Sequence, residues 1–284
     1  MDLSIIIVNY NTRELIDECL ASLFQHLQDK GSEIFVVDNA SRDGSVELIR
    51  EKYPTVHLIE NEENVYFIRA NNQALRKTHT GYVALLNSDT VLIEDSFRKM
   101  IGFMDAHPEI GACSPRLINP DGTLQRTCMR FPSIVYGIFE LVFINKMFPG
   151  NHINNRTHYA DWLRDDTREV EVAAGACLLL RRDILDRVGL LDEEYVMYNE
   201  EVDWCRRIRD SGFKVYFYSD TSIIHHVGGS TRKSAHMRRI YVNSFLLVYK
   251  KYYGYFAYIF LNILSYLSGL AVFIARDIIR LRSK

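Results

Sequence analysis

The chain has 284 residues, 25% charged and 48% in the hydrophobic set, an ordinary globular composition that excludes a disordered or fibrous protein. That length suffices for one large α/β domain or two small ones. Lys plus Arg number 34 and Asp plus Glu 36, a net charge of −2, so no global field for nucleic acid exists and no nucleic-acid partner is expected.

Leu3 to Val8 is an uninterrupted apolar run, as in a strand buried on both faces. Leu15, Cys19, Leu23, Phe24 and Leu27 then recur at helical spacing, predicting an amphipathic helix over 13–28. Strands follow at Ile34–Val37, Val56–Ile59 and Tyr82–Leu86, with helices at Val46–Glu51 and 65–78. Strand–helix alternation of this kind implies a parallel, Rossmann-like sheet with right-handed crossovers. Ligands of such sheets lie beyond the carboxyl ends of the strands. Asn9-Tyr10-Asn11, Asp38 and Asn87-Ser88-Asp89 all fall there.

Residues 110–175 read as less regular, punctuated by Pro115, Asn119-Pro120-Asp121-Gly122 and Phe131-Pro132, with an apolar stretch at Ile134–Phe148. Ala173–Leu180 reads as a buried strand. Asn199 is the expected N-cap of a helix over Glu200–Ser211, closed by Gly212. Lys214–Tyr218 is another strand, and Ile223–His226 leads into the turn Gly228-Gly229-Ser230-Thr231.

Tyr255–Ala275 carries no charge and is long enough to span a bilayer. Lys250 and Lys251 precede it, and Arg276, Arg280, Arg282 and Lys284 follow. A single span would leave the more basic tail outside, against the positive-inside bias. An interfacial helix fits the flanks better, and a buried packing helix is the bland alternative. The N-terminus lacks the basic region and long apolar run of a signal peptide. Five scattered cysteines without a CxxC pair fit reduced thiols. We therefore expect a body at the cytoplasmic face of a membrane.

Asp89, ending an apolar strand, is placed to hold Mg²⁺ or Mn²⁺, which take carboxylate oxygens and borrow other ligands from diphosphate and water. The structural alternative is a cap for the helix beginning near Asp95. Asp38 can accept from a nucleobase or ribose, or simply close an Asx-turn. Glu200, Glu201 and Asp203 crowd a first helical turn, where the macrodipole alone favours carboxylates; one of them can serve as a general base. Asp203 precedes Arg206 and Arg207 and fits an ion pair better. His225 and His226 end a strand, where a histidine can complete a metal shell or contact phosphate. With no GxGxxG after a strand and no GxxxxGK[ST], dinucleotide oxidoreductase and P-loop readings lose their main support.

Taken together, IIIVNYN (5–11), VVDNASRDGS (36–45), NVYFIRANNQAL (64–75), LLNSDT (85–90), AAGACLLLRRDILDRVGLLDEEYVMYNEEVDWCRRIRDSG (173–212) and HHVGGST (225–231) resemble the family 2 inverting glycosyltransferases of GT-A fold, especially the bacterial rhamnosyltransferase-like group. The resemblance covers about residues 3–250. It implies a catalytic domain over 1–235, with a nucleotide-binding half (1–100) and an acceptor-side half (101–235), followed by a membrane-associating helical segment over 236–284. It further implies that Asn9, Tyr10, Asn11, Asp38, Asn87 and Ser88, with Arg69 and Asn72, contact a nucleotide sugar. Asp89 and His225 would hold the metal, and Glu201, in the place of the family's catalytic Asp, would be the base, with Glu200 and Asp203 left open. Tyr66 and Ala74 stand where the family usually has Gly. The implied donor is dTDP-L-rhamnose, with UDP-sugars next, while the membrane-prone C-terminus and the apolar 134–148 stretch suggest a lipid-linked surface glycan as acceptor. A catalytically silent sugar-nucleotide-binding subunit and a sugar-1-phosphate nucleotidyltransferase are the competing readings.

Overall fold

The computed structural model describes residues 2–27, 31–226 and 235–282, with side chains as far as residue 270. The N-terminal half alternates as expected: β1 (Leu3–Asn9), α1 (Arg13–His26), β2 (Glu33–Asp38), α2 (Ser45–Lys52), β3 (His57–Glu60), α3 (Tyr66–Leu75) and β4 (Tyr82–Asn87). Its strands are parallel in the order β3-β2-β1-β4, with Ile5 level with Ile34 and Ala84. Period-two alternation sends Ile5 and Ile7 to one face of the sheet and Ile6 to the other. The first face packs on Ile16 and Leu20 of α1, the second on Ile68 of α3, which is why β1 carries no polar break.

The second half adds β5 (Thr90–Leu92), α4 (Ser96–Ala106), β6 (Ile110–Ile118), α5 (Ile134–Leu141), α6 (Ile144–Met147), α7 (His152–Thr157), β7 (Arg168–Glu169), β8 (Cys177–Arg181), α8 (Ile184–Val188), α9 (Glu200–Asp210) and β9 (Lys214–His225). These extend the sheet beyond β4 as β8-β6-β9-β5, with β8 antiparallel to β4 and β6, and β7 on β9.

Three readings change here. Ile110–Ile118, expected to be irregular, is a buried strand. Its Gly and Pro sit where the pairing with β9 slips, between Ile110 and Ala112 and between Pro115 and Arg116. The two short strands expected after residue 213 are one, bulged at Ser219–Thr221, which reads as a turn in sequence. The strand expected over Ala173–Leu180 begins only at Cys177. The irregular segment between β6 and β8 is organised by Arg164, whose fully buried guanidinium donates to the carbonyls of Thr127, His158, Tyr159 and Trp162.

The C-terminal helices α10 (Ala235–Tyr253) and α11 (Tyr255–Arg282) fold back on α5 around Tyr136, Phe245, Leu246, Tyr249 and Leu261. Among the described residues no helix is long and apolar enough to cross a membrane. Asn262, Ser265 and Ser268 dilute α11, and Ser268 donates to the Leu141 carbonyl at 2.8 Å.

Gly111 sets how closely α8 and the C-terminal end of α9 approach the sheet. A Cβ there would come within 2.5 Å of Ile184, 2.8 Å of Phe213 and 3.0 Å of Ile208. Gly111→Ala is therefore expected to cost about 1–3 kcal/mol by overpacking, seen as a melting temperature several degrees below wild type; an unchanged melting curve would show that these helices can retreat freely.

Candidate active site

The carboxyl ends of β1, β2 and β4 converge as the strand order requires. Asn9 and Asp38 are buried and bond each other, Asn9 Nδ2 donating to Asp38 Oδ1 at 2.7 Å. Asp38 Oδ2 accepts from the Ser41 amide at 2.8 Å, so the Asx-turn is real as well. Asn11, at φ 51°, accepts from the Arg42 amide at 2.7 Å, and Tyr10 projects into solvent beside it. From β4, the Ser88 hydroxyl lies 3.2 Å from that of Thr12, which donates to Asn9 Oδ1 at 2.7 Å. Asn87 ends the same strand, its amide bonded to the Ala176 carbonyl at 2.9 Å. One polar network thus joins Asn9, Asn11, Asp38 and Ser88, with Asn87 ending the strand beside them, level with Val8.

Asp89 follows Ser88 in the chain, nearly fully buried. Asp95 caps α4, accepting from the Arg98 amide at 3.2 Å, so Asp89 has no capping duty there. Antiparallel pairing of β5 with β9 sets Thr90 opposite His225, and the His226 amide donates to the Asp89 carbonyl at 2.8 Å. His225 Nε2 then lies 3.4 Å from Asp89 Oδ1. A carboxylate oxygen and an imidazole nitrogen at that separation suit two neighbouring ligands of one divalent ion held at about 2.1 Å. Among the described residues these two side chains meet here, which fits an ion whose remaining positions go to diphosphate and water. His226 faces Glu18 instead, at 3.6 Å. The turn Gly228-Gly229-Ser230-Thr231 lies outside the described residues.

Glu201 of α9 packs against Gly175, next to the Ala176 whose carbonyl bonds the Asn87 amide. Glu200 and Glu201 line a small cavity with Phe67, Leu85, Gly175, Leu178, Leu191 and Trp204. Asn199 is not the side-chain cap expected: it and Tyr198 both take the left-handed conformation, φ 63° and 72°, and only the Asn199 backbone carbonyl caps, accepting from the Asp203 amide at 3.1 Å. Two successive non-glycine residues at positive φ store strain at the foot of this helix. Burial pushes the Glu200 carboxyl up to about 8, with the charge of Glu201 adding to it, and burial raises Glu201 too. Glu200 Oε2 finds no hydrogen-bond partner among the described residues. Neighbouring acids this close share their titration, and near neutrality the pair keeps a proton.

Two sets of expected site residues belong elsewhere. Asp203 accepts from Arg207 Nε at 2.8 Å, Lys251 Nζ at 2.7 Å and the Tyr252 hydroxyl at 2.7 Å, so its carboxylate is engaged in a buried ion pair. Arg206 pairs with Asp210 rather than with Asp203. Asn72 is also buried and fully used, donating to the Leu191 carbonyl and Glu193 and accepting from the Leu191 amide. Arg69, on the same side of α3, is exposed and faces Glu193 at 3.8 Å. These two order the loop before α9 and are not part of the polar network.

The sequence profile described as Glycosyl transferase family 2 matches residues 4–189. The chain belongs to that family. It is a glycosyltransferase of the GT-A type that uses a nucleotide-sugar donor. It is 24% identical, over 89% of its length and 86% of the relative's, to N-acetylglucosaminyl-diphospho-decaprenol L-rhamnosyltransferase of Mycobacterium tuberculosis. Its fold resembles that of the mannosyltransferase PcManGT from Pyrobaculum calidifontis, solved with GDP-Man and Mn²⁺ (TM-score 0.61, 18% identity, 97% of this chain and 75% of that one). It also resembles S. aureus TarS 1–349 with UDP-GlcNAc (TM-score 0.60, 18% identity, 88% and 65%).

The raised Glu200 has a stability consequence. Between the ordinary carboxylate value and about 8 the folded glycosyltransferase binds a proton that the unfolded chain has released, so stability falls as pH rises through that window. Glu200→Gln removes the penalty. Its melting temperature should exceed wild type by several degrees at pH 8, with the gain shrinking toward pH 5; a pH-independent difference would contradict the buried-acid assignment.

Proposed function

We propose that this enzyme is an inverting, metal-assisted transferase that moves L-rhamnose from dTDP-L-rhamnose to a lipid-linked glycan at the cytoplasmic face of a membrane. The observation that supports the chemistry is Asp89, in the turn just ahead of β5, facing His225 at the end of β9, with Glu201 in the first turn of α9. Asn9, Asn11, Asp38 and Ser88, with Asn87 beside them, form the polar network that meets the nucleotide, and Tyr10 is exposed beside it. Asp89 and His225 hold Mn²⁺ or Mg²⁺, which when bound neutralises charge developing on the departing nucleoside diphosphate. Glu201 takes the proton of the acceptor hydroxyl on its carboxylate. The acceptor oxygen bonds to the anomeric carbon as the bond to the diphosphate breaks on the opposite side, inverting the configuration. Burial, with the charge of Glu201 adding to it, makes Glu200 the member of the pair that holds a proton.

The donor sugar and lipid carrier rest on likeness to the mycobacterial rhamnosyltransferase. Membrane contact has its own support. Phe256, Ile259, Phe260, Ile263, Leu267 and Leu270 fall on one exposed side of α11, Phe256 at 92% exposure, while Tyr258, Leu261 and Leu264 turn to α5 and α10. A helix that packs by one face and exposes an apolar stripe on the other suits the plane of a bilayer interface. Met147 and Phe148 are exposed as well. On this reading residues 1–235 are the catalytic domain and 236–284 the anchoring segment.

Glu201→Gln should retain metal-dependent donor binding and lose about 10²–10⁴-fold in kcat, whereas Asp89→Ala should lose metal-dependent binding as well. Transfer retained by Glu201→Gln, or lost only in Glu200→Gln, would remove Glu201 as base. Donor binding by wild type without any turnover on lipid-linked acceptors would bring the silent-subunit reading forward. Phe256, Ile263 and Leu267 changed together to Ser should abolish co-sedimentation with liposomes; undiminished sedimentation would clear α11 of that role.

A further inference from the structure

The turn Asn119-Pro120-Asp121-Gly122 bends the chain after β6, with the Asn119 amide bonded to the Thr123 carbonyl at 2.8 Å and the Gln125 amide to the Leu117 carbonyl at 2.9 Å. It delivers the Gln125 side chain to His225, 100 residues further along the chain. One end of the Gln125 amide lies 2.7 Å from the His225 backbone carbonyl and 2.9 Å from Asn119 Oδ1, the other 2.9 Å from His225 Nδ1.

These contacts settle which way the amide points. A backbone carbonyl only accepts, so the end facing it must be the NH₂; a flipped amide would press two carbonyl oxygens together at 2.7 Å. The oxygen therefore faces His225 Nδ1, and because that oxygen carries no hydrogen, Nδ1 must carry one. Nε2 is left toward Asp89 Oδ1. In the neutral ring, Nε2 and the carboxylate oxygen are then both acceptors facing each other at 3.4 Å, a separation that a divalent cation would bridge.

We propose that Gln125 is a positioning residue: it holds His225 with the proton on Nδ1, so that Nε2 is presented, with Asp89, to a divalent cation. Metal-ligating histidines need a partner on their second nitrogen to fix tautomer and ring orientation, and loss of that partner typically costs 10–100-fold in metal affinity. The inference rests on the metal assignment made above for Asp89 and His225. It also gives the Asn-Pro-Asp-Gly turn a task that the transfer reaction itself leaves unexplained.

The test uses the full chain with Mn²⁺ alone, titrated by electron paramagnetic resonance, in wild type, Gln125→Met and Asp89→Asn. Gln125→Met should bind Mn²⁺ about 10–100-fold more weakly with a melting curve close to wild type. Long-range ¹H–¹⁵N spectra of metal-free wild type should place the His225 ring proton on Nδ1. Affinity of Gln125→Met within twofold of wild type, or a neutral His225 carrying its proton on Nε2, would overturn the proposal. If wild type shows no Asp89-dependent Mn²⁺ binding, the metal assignment fails by itself. The tautomer measurement needs neither metal nor the variant, and still decides what Gln125 does.

Discussion

The site depends on one piece of backbone pairing, the antiparallel contact of β5 with the end of β9. It sets Thr90 opposite His225 and bonds the His226 amide to the Asp89 carbonyl. Main-chain register rather than side-chain preference thus brings an acid from the first half of the fold to an imidazole from the second. The register holds because β9 is also locked to β6 over nearly its whole length, with the bulge at Ser219–Thr221 absorbing a mismatch between the two strands. A one-residue slip would turn His225 to the other face of the sheet. Gln125 fixes the ring from the far side, on a loop that begins where β6 ends.

Helix α9 is held by different physics. The first turn of α9 carries two acids in a largely apolar cavity, above a backbone strained at Tyr198 and Asn199. Neither feature favours folding by itself. One turn on, buried Asp203 meets Arg207, Lys251 and Tyr252. An ion pair of this kind contributes more to a unique geometry than to net stability. It also fastens α9 to the last turn of α10, and through α10 to the helix whose apolar stripe faces outward. The α9 carboxylates and the proposed membrane surface are therefore parts of one packed unit, joined through Lys251 and Tyr252.

Legibility from sequence followed the range of the interactions involved. The β-branched run at Leu3–Val8 and the helical spacing from Leu15 to Leu27 are local patterns, and the alternating half built from them is found nearly residue for residue. Asp89 and His225 were readable from strand ends and family likeness, and the structure brings them together. β6 was hidden because Gly111, Ser114 and Pro115 break its pattern, although neighbours bury the strand completely at those points. Asn72 and Asp203 are polar residues in motifs, and composition alone cannot separate a ligand contact from a loop strut; their partners Leu191, Glu193 and Lys251 are remote in sequence. Gln125 carried no signal beyond a turn preceding it. The length of Tyr255–Ala275 suggested a span, but the amphipathic split of α11 appears only when its neighbours are in place.

The central claim is that a nucleotide sugar binds at the β1–β2–β4 edge through a divalent ion on Asp89 and His225. Its most direct test is a thermal-shift titration of the wild-type chain against dTDP-L-rhamnose, UDP-glucose, UDP-galactose, UDP-N-acetylglucosamine and GDP-mannose, each with and without Mn²⁺. Stabilisation by dTDP-L-rhamnose that needs Mn²⁺ is the expected result. Equal stabilisation with and without the ion, or none by any of the five donors, would contradict it.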